Sequence, residues 1–148
     1  MSLRVEDLQE QDLYKLDPQD DQEDWLEGFD DHIKEQVTNT CLSKTIWEDD
    51  EPIFIGGALY TNTYTCSVWS VVSRSFREGK NKFFVTRKVI EFLDYVHYTV
   101  GVRRLQTTVV AGFNEGHKWA KILGFEVEGL MKSFEPDGSD AVLYGRVR

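Results

Sequence analysis

Residues 66–98 read CSVWSVVSRSFREGKNKFFVTRKVIEFLDYVHY. The first seven form a β-branched and aromatic run, the pattern of a central strand. After Asn81 the period changes: Phe84, Val85, Val89, Phe92, Leu93 and Val96 share one face at helical spacing, which predicts a helix over 81–98. Between strand and helix lies SRSFREGKNK, where Arg74, Arg77, Lys80 and Lys82 surround Gly79. A chain with 26 acidic and 17 basic side chains thus gathers four cations at one strand-to-helix junction. The first helical turn offers backbone N–H groups and the positive end of the helix dipole to an anion, and a glycine allows close approach. The physical reading is a phosphate or pyrophosphate cradle, with a solvated basic turn as the alternative.

Working outward, SLRV reads as a first strand and EDLQEQDLYKL as a short helix stopped at Asp17-Pro18. QEDWLEGFDDHIKEQV carries Trp25, Leu26, Phe29, Ile33 and Val37 at intervals of three and four and reads as an amphipathic helix. CLSKTIWEDDEPIFIGGALY reads as a hairpin turning at Asp49 to Pro52. Beyond the long helix, RRLQTTVV is a strand and NEGHKWAKIL a helix stopped by Gly124. FEVEGLMKSF then pairs with AVLYGRV across EPDGS. The order β-α-α-β-β-β-α-β-α-β-β predicts an α/β chain, an α+β mixed sheet with helices on both faces.

The 148 residues predict a single domain, 1–148, and no segment has the pattern of a signal peptide or membrane span. A soluble, cytoplasmic protein is expected, without a membrane partner. Cys41 and Cys66 lack the spacing of a disulfide framework or a zinc site, so buried free thiols and no metal are expected. The net charge of −9 argues against nucleic-acid binding. It is unevenly spread: residues 1–51 hold 17 acidic against 4 basic side chains, and residues 52–148 hold 9 against 13.

The element order, the length, and NEGHKWAKILGFEVEGLMKSF followed by AVLYGRV resemble the GCN5-related N-acetyltransferase (GNAT) superfamily. Asn114, Leu123, Gly124 and Phe125 match its Asn, short helix and Leu-Gly-Phe turn, and Gly129 recurs after them. The resemblance implies acetyl-CoA, or another acyl-CoA, as cofactor. Its pantetheine arm would lie on the backbone of Val71, Val72 and Ser73. Its pyrophosphate would lie on the loop and helix start holding Arg77, Gly79, Lys80, Asn81 and Lys82, with Asn114 a further cofactor-side residue. It also implies transfer of an acetyl group to an amine of a protein or small molecule, and a homodimer as one arrangement.

Two departures stand out. The loop Arg-Glu-Gly-Lys-Asn-Lys departs from the family's usual Arg/Gln-x-x-Gly-x-Gly/Ala, with either Arg77 or Gly79 in register but not both, and Ala120 occupies the position, four before Gly124, where many members place a tyrosine general acid. The substitutes within reach are His117 on the same helix and Tyr144 on the last strand, each of which also suits a packing role. Asp30 and Asp31, in the acidic half, are candidates for drawing in a cationic acceptor, with solvation or partner docking as the competing account. The compact length and GFNEGHKWAKILGFEVEG also resemble small GNAT-type proteins of tailed bacteriophages. That similarity implies either a phage enzyme acting on a host target in the host cytoplasm, or a binding or virion protein that keeps the fold without the chemistry.

Overall fold

The computed structural model describes residues 2–18, 42–77 and 81–148. Among them the elements are β1 (Leu3–Asp7), the one-turn helix α1 (Asp12–Lys15), β2 (Ser43–Glu48), β3 (Glu51–Asn62) and β4 (Thr65–Val72). There follow a second one-turn helix, α2 (Arg74–Arg77), then α3 (Lys82–Tyr95) running into a π-helical turn (Val96–Val100), and β5 (Arg104–Val110). The chain ends with α4 (Asn114–Ile122), β6 (Glu126–Met131) and β7 (Ala141–Val147). The amphipathic helix read over 22–37 lies outside the described residues.

Seven strands form one mixed sheet in the order β1-β2-β3-β4-β5-β7-β6. β4 occupies the middle, as its β-branched and aromatic run predicts. It pairs parallel with β5, Thr65 to Ser67 against Arg104 to Gln106, the geometry that a crossover through α3 requires. The other described pairings, β1–β2, β2–β3, β5–β7 and β6–β7, are antiparallel. The chain gathers into two compact units: Met1–Leu59 with Trp69–Arg87, and Tyr60–Val68 with Lys88–Arg148.

In the first unit, Leu8, Leu13, Leu16, Ile55 and Val71 form a buried cluster against which Leu59 and Trp69 pack. Ile53, Phe54 and Ile55 are all buried, so β3 is covered on both faces. The first helix is shorter than its spacing predicts. Glu6 and Asp7 belong to the β1 ladder against Thr45 and Lys44, and the Leu8 N–H donates to Ser43 O at 3.1 Å. Only the turn Asp12–Lys15 is helical. The buried Asp12 carboxylate fixes its start by accepting from the Gln9 N–H and from Thr45 Oγ1, each at 2.9 Å.

In the second unit, Val96, Val102, Leu105, Leu123, Phe125, Ala141 and Tyr144 are buried. The long helix departs from its predicted form in its last turn. Gly101, at φ 93°, and Val102 both donate to Val96 O, so the turn widens before the chain reverses. The buried His97 ring sits in that turn and donates from Nδ1 to Val102 O at 2.8 Å. α4 ends as its sequence predicts: Gly124, at φ 94°, donates to Lys121 O, and Phe125 donates to Ala120 O. This pair of bonds is the Schellman arrangement, with Phe125 and Ala120 both buried. The final hairpin turns over EPDGS, where the Glu135 N–H donates to Ser139 O at 3.0 Å and Gly138 has φ 87°.

Candidate functional site

At the carboxyl end of β4, Val71, Val72 and Ser73 are buried, at 0%, 6% and 0% exposure. The Ser73 N–H donates to Ile53 O on β3 at 3.0 Å, and its hydroxyl accepts from the Phe76 N–H at 3.4 Å. Ser73 is thus the cap that starts the single turn of α2. This turn is new relative to the sequence pattern, which shows only a basic loop there. Arg74 opens it, and its guanidinium Nε sits 3.4 Å from Asp17 Oδ1. Arg77 closes the same turn. Gly79 and Lys80 lie outside the described residues.

α3 begins directly afterwards. Asn81 is 7% exposed, its carbonyl accepts the Val85 N–H at 3.0 Å, and its side-chain amide donates to Glu48 Oε2 at 2.7 Å. That side chain ties the helix start to the end of β2. Lys82 is the first helical residue and is exposed, and the first turn contains no acid. A first turn with a cation and no acid of its own has the electrostatics that suit an anion.

In the second unit the chemistry centres on α4 and β7. α4 follows β5, and β5 pairs with β7 with Thr107 opposite Tyr144. Gly116 lets the helix come close: a β-carbon there would lie 2.6 Å from the Phe113 ring and 2.9 Å from Val109. One residue on, His117 is half-buried and engaged at both ring nitrogens. Nε2 is 2.9 Å from Ala111 O, and Nδ1 is 2.7 Å from the Tyr144 hydroxyl. A carbonyl only accepts, so Nε2 carries the proton. In the neutral ring Nδ1 then accepts from the Tyr144 O–H. The two rings are tilted by 40° with centroids 5.8 Å apart. Tyr144 is 1% exposed, and burial pushes its phenol above the ordinary tyrosine value, so it is held as a donor.

His117 and Tyr144, read separately from the sequence, are therefore one hydrogen-bonded pair. The sequence offers no signal for that pairing, because β7 is inserted between β5 and β6 and the partners are 27 residues apart. Asn114 is exposed at the start of α4. Ala120, where many GNAT proteins place tyrosine, is buried at 5% exposure. Asp30 and Asp31 lie outside the described residues. Cys66 is a free buried cysteine whose thiol is raised by burial. No described helix is long and apolar enough to cross a membrane.

The sequence matches no family model and no curated protein. Solved structures do match. A GNAT-family acetyltransferase from Bacillus anthracis superposes with a TM-score of 0.75, covering 98% of this chain and 94% of its own, at 14% identity. A spermidine N-acetyltransferase chimera from Vibrio cholerae superposes at 0.72, covering 98% and 95%, at 12% identity. The ribosomal-protein-S5-alanine acetyltransferase of Vibrio fischeri superposes at 0.68, covering 98% and 92%, at 14% identity. The chain has the fold of the GNAT acetyltransferases, and at these identities the likeness establishes the fold alone.

Proposed function

We propose that this chain, built on the GNAT fold, is an acyl-CoA-dependent N-acyltransferase that moves an acetyl group from acetyl-CoA to an amine of a protein or small molecule. The junction of β4 and α3 carries this reading. A buried strand end leads into a fourteen-residue helix whose first turn presents Lys82 and no acid. The donor chemistry there fits a diphosphate: helix N–H groups, the Lys82 ammonium and the neighbouring basic loop. On this reading the pantetheine arm lies at the strand end 71–73 on the backbone of Val72, since the Ser73 N–H is spent on Ile53 O, and Arg77, Gly79, Lys80 and Lys82 hold the phosphates. Asn81 contributes through its backbone, since its amide is bonded to Glu48.

When bound, acyl-CoA supplies a thioester-activated acyl group. The chain's own task is to position the acceptor amine and take up its proton. His117 and Tyr144 are the groups we assign to that task. The Ala111 carbonyl fixes the His117 tautomer, which leaves Nδ1 as the basic nitrogen facing the Tyr144 hydroxyl. A proton accepted at Nδ1 turns Tyr144 from donor to acceptor, freeing its hydroxyl hydrogen for another acceptor. The acceptor is an amine, and a cationic one is favoured by Asp30 and Asp31. Two neighbours are by their names acetyltransferases of spermidine and of an alanine of a ribosomal protein, both amine acceptors. The proposal includes a cytoplasmic setting and, for a phage-encoded chain, a host target.

The test is release of free thiol from acetyl-CoA in the presence of spermidine, a lysine peptide and a peptide with N-terminal alanine. Turnover with at least one acceptor is expected, falling about 100-fold or more in His117→Ala if the ring moves the proton. No thiol release with any acceptor would remove the enzyme reading. It would favour a second one, to which the buried Ala120 already points: a GNAT-fold protein that docks to a partner without chemistry.

A further inference from the structure

Along a strand, the N–H and C=O of one residue point to the same edge, and successive residues alternate. The Ser73 N–H goes to Ile53 O on β3. The backbone groups of Val72 are therefore turned to the opposite edge of β4, and the Arg74 N–H, at the start of α2, faces Asp17. That edge is covered from within the same unit. The Arg74 N–H donates to Asp17 O at 3.0 Å, and Pro18 forms an antiparallel bridge with Ser73. The contact is reinforced by the 3.4 Å approach of Arg74 Nε to Asp17 Oδ1. Leu16, one residue earlier, is anchored in the buried cluster with Leu13 and Val71. Two residues of chain thus lie along the strand as a strap, held by the core through Leu16, by the ion pair at Asp17 and by the bridge at Pro18.

We infer that Asp17–Pro18 is an autoinhibitory strap that occupies the strand edge to which a pantetheine arm binds, and that the Asp17–Arg74 pair sets how readily it opens. This inference rests on the cofactor reading above. The strap and the arm need the same backbone edge at Val72 to Arg74, so binding of CoA requires the strap to leave. Opening costs the Asp17 O bond and an exposed ion pair. Any partner that drew Asp17 away would raise cofactor affinity without touching the cofactor.

The test compares wild type with Asp17→Ala in titrations with CoA and with ADP, a phosphate-bearing ligand without pantetheine. The Asp17 side chain is 67% exposed, so the substitution spares the core. Loss of an exposed pair is expected to tighten CoA binding by about two- to fivefold while leaving ADP unchanged. Amide exchange at Arg74, followed by NMR without ligand, is expected to quicken in the variant because the latch that holds its N–H on Asp17 O is gone. Equal tightening for CoA and ADP would mean simple removal of a negative charge and would overturn the strap. Unchanged CoA affinity with unchanged Arg74 exchange would overturn it while leaving the cofactor reading in place. Absence of CoA binding in both proteins would overturn the cofactor reading, and the inhibitory role with it.

Discussion

Replacing Tyr144 by phenylalanine keeps the ring in the core and removes one oxygen. That oxygen donates to His117 Nδ1 at 2.7 Å from a residue 1% exposed. The lost bond is worth about 1 kcal/mol net. His117 Nδ1 is then an unsatisfied acceptor, and because the ring is half-buried the penalty falls at the low end of the roughly 1–3 kcal/mol range. Together Tyr144→Phe is expected to cost about 1–2 kcal/mol, or about 3–8 °C in Tm for a chain of this size. His117→Ala strands the buried hydroxyl and is expected to cost at least as much. The double variant loses nothing further at this bond, so a double-mutant cycle in urea unfolding is expected to give a coupling of about 1 kcal/mol. Burial raises the Tyr144 phenol, so its neutral form is favoured in the folded state. The stability this confers is complete below the unfolded tyrosine value near 10 and is lost as pH rises through the higher folded value. Wild type is therefore expected to lose stability above about pH 10 more steeply than Tyr144→Phe. A Tyr144→Phe variant within about 0.3 kcal/mol of wild type, with no coupling to His117, would refute the bonded pair.

Gly124→Ala is expected to destabilise by about 1–2 kcal/mol by urea unfolding, because φ 94° is unfavourable for a β-carbon and Arg146 Nε would lie 3.1 Å from it. Gly116→Ala gains about 1 kcal/mol of helix propensity but places a methyl 2.6 Å from Phe113. Overpacking of about 1–3 kcal/mol is expected to make it net destabilising in thermal unfolding. Glu128 takes two bonds from Arg104, at 2.8 and 2.6 Å, and these hold its carboxyl below the ordinary value. The pair's contribution is present above that ordinary value and lost as pH falls through the lower folded one. With both side chains partly exposed it is worth at most about 1 kcal/mol, so wild type and Glu128→Gln are expected to converge in stability as pH falls below the ordinary glutamate value.

The strand-to-helix junction was legible because its two patterns, a β-branched and aromatic run and then apolar residues at three-to-four spacing, are local. The α4 ending was legible for the same reason: Gly124 and Phe125 carry its Schellman geometry in adjacent letters. The first helix was overread, since Glu6 and Asp7 share the polarity of a helix start but are claimed by pairing with β2, whose position no local pattern reveals. The turn Arg74–Arg77 was missed because its cap, Ser73, looks like the end of a strand. The site was legible only as separate residues. His117 and Tyr144 meet because β7 lies between β5 and β6, and Asn81 meets Glu48 across 33 residues. Arg74 is engaged by Asp17 at a separation of 57. Such long-range pairings set which polar groups are spent on the fold and which are left for a ligand.

Isothermal titration of the purified protein with acetyl-CoA tests the central claim most directly. The account predicts micromolar binding, about −8 kcal/mol, weakened about tenfold or more by the double variant Arg77→Ala, Lys82→Ala as charge-assisted phosphate contacts are lost. No heat of binding by the wild type with acetyl-CoA at millimolar concentration would contradict it.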